Sequence, residues 1–273
     1  MKRIFYDIYD LKPSEYINFM KFRQDIHMMC AFTLLWCMVV LVSCNETTNQ
    51  ESATKRAEDS IEIVVDMAVS TYELSMQKQG LVNLLENDST IIVDLKYSSS
   101  DNFFGEDVYG VLQNAYLQKE PAEGLKLANQ MLQNINKDYR LLIYDAARPL
   151  SVQKILWQKL DSLPPKKRKD FVADPSEGSI HNYGCAVDLS IFDIKAQKEL
   201  DMGTSYDFFG YLAYPRLEKQ MLSEGKLSEL QIENRQLLRK VMDANGFEAI
   251  TSEWWHFNYY GRKRAKELYK IVE

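Results

Sequence analysis

The chain has 273 residues, is 46% hydrophobic and 26% charged, and carries a formal net charge of −6. This is ordinary globular composition, enough for one good core and too little to demand two. The longest basic run is KKRK at Lys166 to Lys169. It reads as a solvated loop, so composition and charge exclude nucleic acid as a partner. Three of the four cysteines, Cys30, Cys37 and Cys44, fall in one apolar run near the N-terminus, and Cys185 stands apart. That is no disulfide framework.

Residues 30–43, CAFTLLWCMVVLVS, are fourteen residues without a charge. A membrane span needs roughly 17–25 residues, whereas the apolar core of a secretory signal needs roughly 7–15. Lys21 and Arg23 precede the run as its positive region, and Leu41-Val42-Ser43-Cys44 ends it. This ending resembles a bacterial lipobox, which makes Cys44 the expected lipidation site and residues 1–44 a signal peptide. An uncleaved anchor is the alternative, and either reading carries the rest of the chain out of the cytoplasm. Residues 1–19 hold several acids, and Met20 begins MKFRQDIHMM, a more natural start. Residues 45–60 are polar and read as a flexible tether to the membrane. The folded domain is expected over 61–273.

Helix-like spacing runs from Ile61 to Asp88, and Thr90 to Tyr97 reads as a strand. Ser98 to Gly110 is a loop containing aromatics. Pro121 to Lys137 is a predicted helix with Leu125, Ala128, Met131, Leu132 and Ile135 on one face. Tyr139 to Tyr144 is a strand running into DAARP, and Ser151 is the expected cap of a helix to about Leu160. Pro164 and Pro165 break it. Along the strand CAVDLSIF, alternation puts Cys185, Val187, Leu189 and Ile191 on a core face, and Ala186, Asp188 and Ser190 on the other. Helices follow at about Ala213 to Gly225 and Ser228 to Asn245, the second ended by Gly246. Phe247 to Thr251 and Trp255 to Tyr260 are strands, and Arg262 to Val272 is a closing helix. Strands and helices mix without strict βαβ alternation, so the expected class is α+β.

His27 falls in the signal segment, which leaves two histidines. Each has an acid nearby: His181 with Asp188, and His256 with Glu253. Two imidazoles and one carboxylate leave a tetrahedral cation one open position, the arrangement of catalytic zinc. The spare acid then serves as general base. Asp188 is short and lies on the strand leading away from His181, so it is assigned as ligand. Glu253 has the longer reach and is assigned as base, which requires the chain to turn or bulge between Glu253 and His256. Two competing readings are a pair of ordinary buried histidines and the facial triad of an iron oxygenase, which leaves Glu253 unexplained. Arg148 ends a strand in a loop and can hold an oxyanion.

Ser179-x-His181-x-x-Gly184-x-Ala186-x-Asp188, followed by Glu253-x-Trp255-His256, resembles the zinc D-alanyl-D-alanine dipeptidases of the VanX type. These belong to the D,D-peptidase and hedgehog-like fold group. DLKYSSSDNFFGEDVYG, DAARP and MGTSYDFF fall in the same order, and the resemblance extends from about Gln79 to the C-terminus. It implies a central, mostly antiparallel sheet flanked by helices. It also implies one zinc ion per chain on His181, Asp188 and His256, with Glu253 as base and Arg148 as transition-state stabiliser. It adds Ser179 and Asp207 as contacts to the substrate's amino end, and Tyr97, Asn102 and Phe103 as pocket-closing residues. The implied substrate is a small dipeptide, and no protein partner is implied. The lipobox departs from the family's resistance enzymes, which act in the cytoplasm, and favours scavenging of wall-derived dipeptides over glycopeptide resistance. A D,D-carboxypeptidase acting on stem peptides and a lipoprotein that merely binds wall peptides are the rivals.

Overall fold

The computed structural model describes residues 72–273, with the exception of Val111 and Asp170. The expected signal segment, the lipidation site Cys44 and the tether lie outside the described residues. A helical stretch over 72–78 comes first, followed by β1 (Val82–Asn83), α1 (Leu84–Asn87) and β2 (Ile92–Val93). Then come β3 (Tyr116–Leu117), α2 (Lys119–Ile135), β4 (Tyr139–Asp145), α3 (Leu150–Lys159) and α4 (Pro165–Arg168). The second half holds β5 (Ala186–Asp193), β6 (Lys198–Glu199), α5 (Glu218–Ser223), α6 (Glu229–Asp243), β7 (Glu248–Ala249), β8 (His256–Asn258) and α7 (Arg262–Leu268). The class is α+β.

The main sheet runs β2-β4-β5-β8-β7, with β6 paired to the far end of β5. Only the β2–β4 pair is parallel. β1 and β3 form a separate antiparallel pair. β5 is the central strand, and residues Ala186 to Ile191 are all buried. The face of Val187, Leu189 and Ile191 joins the core as expected, and the other face, with Asp188, is buried too, since a central strand is covered on both sides. Cys185 sits just before β5 and packs with Tyr183 and Ala265, outside the main core.

Local chemistry explains the flanking helices. Leu125, Ala128 and Leu132 of α2 are fully buried, whereas Ile135 is exposed because the helix ends there. Asn129 in the same row is also buried. Its Oδ1 accepts from the Leu141 N–H at 3.0 Å, and its amide donates to Asp88 and Thr90, tying α2 to the sheet edge. Gly124 lets α2 approach closely, since a Cβ there would lie 2.7 Å from Asn245 O and from the Tyr259 ring. α6 begins with a reciprocal capping box between Ser228 and Gln231.

Several expected boundaries move, the closing helix ending at Leu268 among them. α3 starts at Leu150 with Pro149 as its cap, so Ser151 lies inside the helix and hydrogen-bonds Tyr72 instead. The segment around Ala213 is two short 3-10 turns before α5. Thr90 to Tyr97 is strand only at Ile92–Val93, and it turns into a 3-10 segment at Lys96–Ser98 that delivers the buried Tyr97.

Candidate metal and active site

Three adjacent strands place three acceptor side chains in one row. Asp188 of β5 lies directly opposite His256 of β8 on one side and Asp145 of β4 on the other. The β4–β5 register shifts between Ile143 and Asp145, so Tyr144 and Asp145 both oppose Asp188. Regular alternation would send Asp145 to the opposite face. The bulge turns it onto the face of Asp188.

His181 enters from a 3-10 turn at His181–Tyr183, closed by Gly184 in the left-handed region at φ 64°. A Cβ at Gly184 would also press on Leu81 at 3.0 Å. This turn is fastened to the DAARP loop. The Arg148 N–H donates to His181 O at 3.1 Å, and the Asn182 amide donates to Arg148 O at 2.7 Å.

His181, Asp188 and His256 converge. His181 Nε2 lies 3.4 Å from Asp188 Oδ1 and 3.2 Å from His256 Nδ1, and His256 Nδ1 lies 2.9 Å from Asp188 Oδ1. Nitrogen and oxygen ligands about 2.0–2.1 Å from a tetrahedral cation stand roughly 3.3 Å apart, so these edges fit one small dication. The outer ring nitrogens agree. His181 Nδ1 donates to Ala146 O at 2.7 Å, and His256 Nε2 donates to Asn258 Oδ1 at 2.9 Å. Each hydrogen bond turns the other nitrogen inward as a donor to metal.

Burial works against charging His256, but its hydrogen bond to Asp188 and that carboxylate's charge outweigh it, and its pKa is pushed up to about 9. Burial likewise opposes ionisation of Asp188, and the two imidazoles overcome it, holding the carboxyl well below the usual range. A dication would compete with protons for this cluster.

Glu253 stands off from this triad, with Oε2 3.9 Å from His256 Nδ1. The chain bends over 251–255 before β8 begins, which provides the turn that the sequence required. Desolvation raises the Glu253 pKa, against the opposing pull of His256. That suits a proton carrier more than a permanent ligand.

Arg148 is buried and fixed. Its Nε donates to Asp145 Oδ2 at 2.9 Å, a second nitrogen donates to the same oxygen, and the third donates to Gln153 Oε1 at 2.9 Å. Its guanidinium lies 5.2 Å from the Tyr97 ring centroid and 4.0 Å from Asp188 Oδ2. Asp145 is itself held by the Tyr109 hydroxyl at 2.5 Å and by the Ala146 N–H at 2.9 Å.

The other expected site residues fall on the surrounding walls. Ser179 is buried beside His181, and its Oγ accepts from the His181 N–H at 3.3 Å. The Tyr97 hydroxyl donates to Asp207 Oδ2 at 3.0 Å. Burial and the nearby charge of Asp188 push the Asp207 carboxyl well above its usual range, a site that rewards a cationic partner. Phe103 packs edge-on against Phe209 at 4.8 Å, so the loops over 98–110 and 201–210 meet above the site. Asn102 is committed elsewhere: its amide donates to Lys96 O, Ser99 O and Glu106 O, and its Oδ1 caps Phe104. It organises its own loop.

Sequence reasoning missed Asp145, Gln153, Tyr206 and Asn258. Asn258 had a usable signal, since it lies two residues after His256 on one strand and so shares its face. Tyr206, whose hydroxyl donates to Asp188 Oδ2 at 3.1 Å, had none beyond its place in MGTSYDFF.

A family model described as D-ala-D-ala dipeptidase matches residues 77–271. A D-alanyl-D-alanine dipeptidase of Escherichia coli is 31% identical over 177 residues, covering 65% of this chain and 83% of that protein. A D-alanyl-D-alanine dipeptidase of Enterococcus faecalis is 28% identical over 179 residues, covering 60% and 83%. Among solved structures, a vancomycin-resistance D,D-pentapeptidase, VanY, in complex with Zn(II) is 15% identical with a TM-score of 0.32, covering 57% of this chain and 79% of that one.

Proposed function

The chain belongs to the D-Ala-D-Ala dipeptidase family, and from that premise we propose that it hydrolyses the free D-Ala-D-Ala dipeptide with one zinc ion per chain. It is a peptidase, and its work lies in cell-wall peptide metabolism. The observation that carries the finer reading is the triangle of His181 Nε2, Asp188 Oδ1 and His256 Nδ1, with a fourth acid, Glu253, held just outside it.

Zinc, when bound by these three side chains, supplies Lewis acidity toward the scissile carbonyl and toward a water molecule. The chain's own residues do the rest. Glu253 takes a proton from the attacking water as its oxygen bonds to the carbonyl carbon. It returns that proton to the leaving nitrogen as the C–N bond breaks, which releases two D-alanines. Arg148, clamped by Asp145 and Gln153, faces the negative charge that develops on the carbonyl oxygen. Asp207 receives the substrate's ammonium group, with Tyr97 orienting its carboxylate. Tyr97, Phe103 and Tyr206 limit the space on that side to a small substrate.

The test is hydrolysis of D-Ala-D-Ala by the purified full chain, beside a stem pentapeptide, with Glu253→Ala as control and zinc measured on both proteins. Dipeptide cleavage by the parent, lost in the variant with zinc retained, is the expected result. Cleavage of the pentapeptide alone moves the protein to the carboxypeptidases.

We further propose that the enzyme is an exported lipoprotein anchored through Cys44, which places it among wall-derived dipeptides. Membrane-fraction labelling with a radioactive fatty acid, abolished by Cys44→Ala, is the expected outcome. Equal labelling of both proteins removes Cys44 as the anchor.

A further inference from the structure

Two segments on either side of the site are joined by groups that touch neither substrate nor metal ligand. Residues 201–217 carry Asp207, and the bend over 251–255 carries Glu253. Arg235 of α6 is fully buried between them. Its Nε donates to Met202 O at 2.6 Å, another nitrogen donates to Leu212 O at 2.9 Å, and its guanidinium lies 5.9 Å from the Trp254 ring centroid. Its nearest anion, Glu218, is 3.5 Å away and is already held at 2.9 and 2.7 Å by Arg239.

A buried guanidinium that shares its nearest anion is a costly way to gain stability. Here its best hydrogen bonds go to carbonyls near the two ends of one loop, which is the geometry of a spacer. Two direct ties complete the link. Trp254 Nε1 donates to Thr204 Oγ1 at 2.7 Å, and Arg216 donates to Thr251 O at 2.9 Å. Trp254 in turn packs edge-on against Trp255 at 5.4 Å, and Trp255 against Tyr206 at 5.5 Å. Asp207 has a left-handed backbone at φ 56°, a conformation that an aspartate keeps only where its surroundings enforce it.

We propose that Arg235, Trp254 and Thr204 form a positioning clasp that fixes the spacing between Asp207 and Glu253, and that this spacing makes the enzyme select a free dipeptide over a longer peptide. The inference rests on the reading of Asp207 as the ammonium receptor. In a dipeptide the ammonium nitrogen and the scissile carbonyl carbon are separated by a single α-carbon, so little slack between their two receptors is tolerable. Loosening the clasp lets the Asp207 loop retreat, which weakens the grip on a dipeptide and makes room for an acylated amino end.

The test compares Thr204→Val, which keeps the shape but loses the acceptor, with Thr204→Ser, which keeps the acceptor. Thr204→Val is expected to raise KM for D-Ala-D-Ala about tenfold while kcat changes by less than about threefold, the pattern of lost binding rather than lost chemistry. Its preference for the dipeptide over a tripeptide ending in D-Ala-D-Ala should narrow by a similar factor. Thr204→Ser should restore the parent values, and zinc content should not change in either. A fall in kcat and melting temperature at constant KM and selectivity would mark a merely structural tie and overturn the proposal, as would no change at all. Hydrogen exchange at amides 203–213 is read in parallel, and it is expected to speed up in Thr204→Val and not in Thr204→Ser. If the parent protein cuts no dipeptide, the substrate reading fails on its own. The exchange rates then decide the clasp, and equal rates in parent and Thr204→Val overturn it.

Discussion

Asp145, Asp188 and His256 lie on neighbouring strands and are placed by backbone pairing, whereas Tyr97, Asn102, Phe103 and Asp207 lie on two loops and are placed by side chains reaching across the sequence. As proposed metal ligands, Asp188 and His256 need their atoms fixed to a few tenths of an ångström, and a ladder of backbone hydrogen bonds supplies that. The second group, on the same proposed reading, lets a substrate in and then encloses it. The ties between the two loops are the Phe103–Phe209 edge and the Tyr97–Asp207 hydrogen bond, each weak enough to open. On the proposed reading, two of the three metal ligands sit on the sheet, the third sits on a turn fastened to it, and selection sits on the loops.

That division can be broken at four strengths. Asp188→Ala removes the oxygen shared by both imidazoles. Metal content by mass spectrometry should fall to a small fraction, with dipeptidase activity down by about 10⁴ or more. Arg148→Lys keeps the charge but loses the fork onto Asp145 and Gln153. A loss of about 10²–10³ in kcat with zinc retained is expected in steady-state assays. Asn258→Ala removes the partner of His256 Nε2, and competition with a chelator should show zinc affinity weakened by roughly 10–100-fold. Asn102→Ala disturbs only the loop over 98–110. KM should rise several-fold, corresponding to about 1 kcal/mol, with kcat and metal content unchanged. If Asn102→Ala instead costs zinc, the sheet and the loops are not separable.

The same contrast explains what could be read in advance. His181, Asp188 and His256 stand in short motifs on or beside strands, where residue type and spacing say which side chains share a face. The α2 pattern of Leu125, Ala128 and Leu132 is equally local. Asn102 looks like a pocket residue in sequence, but its three donor contacts to its own loop emerge only once that loop is folded. Arg235 stands 19 residues before Trp254 and 33 after Met202 in the chain. No periodicity links such positions, and an arginine on an amphipathic helix reads as solvent-facing until the loop closes over it. Asp145 was hidden for another reason: alternation assigns it to the wrong face, and only the bulge corrects the assignment.

That bulge makes the site depend on a count as well as on identities. Every side chain of Asp145, Arg148 and their partners would survive if β4 ran without its bulge, yet Tyr144 would then oppose Asp188, and Asp145 would oppose Val187 on the other face of the sheet. The DAARP loop would be carried along the strand by the rise of one residue, about 3.4 Å. A lineage can exchange side chains around this centre one at a time, but straightening β4 moves its acid off the face of Asp188.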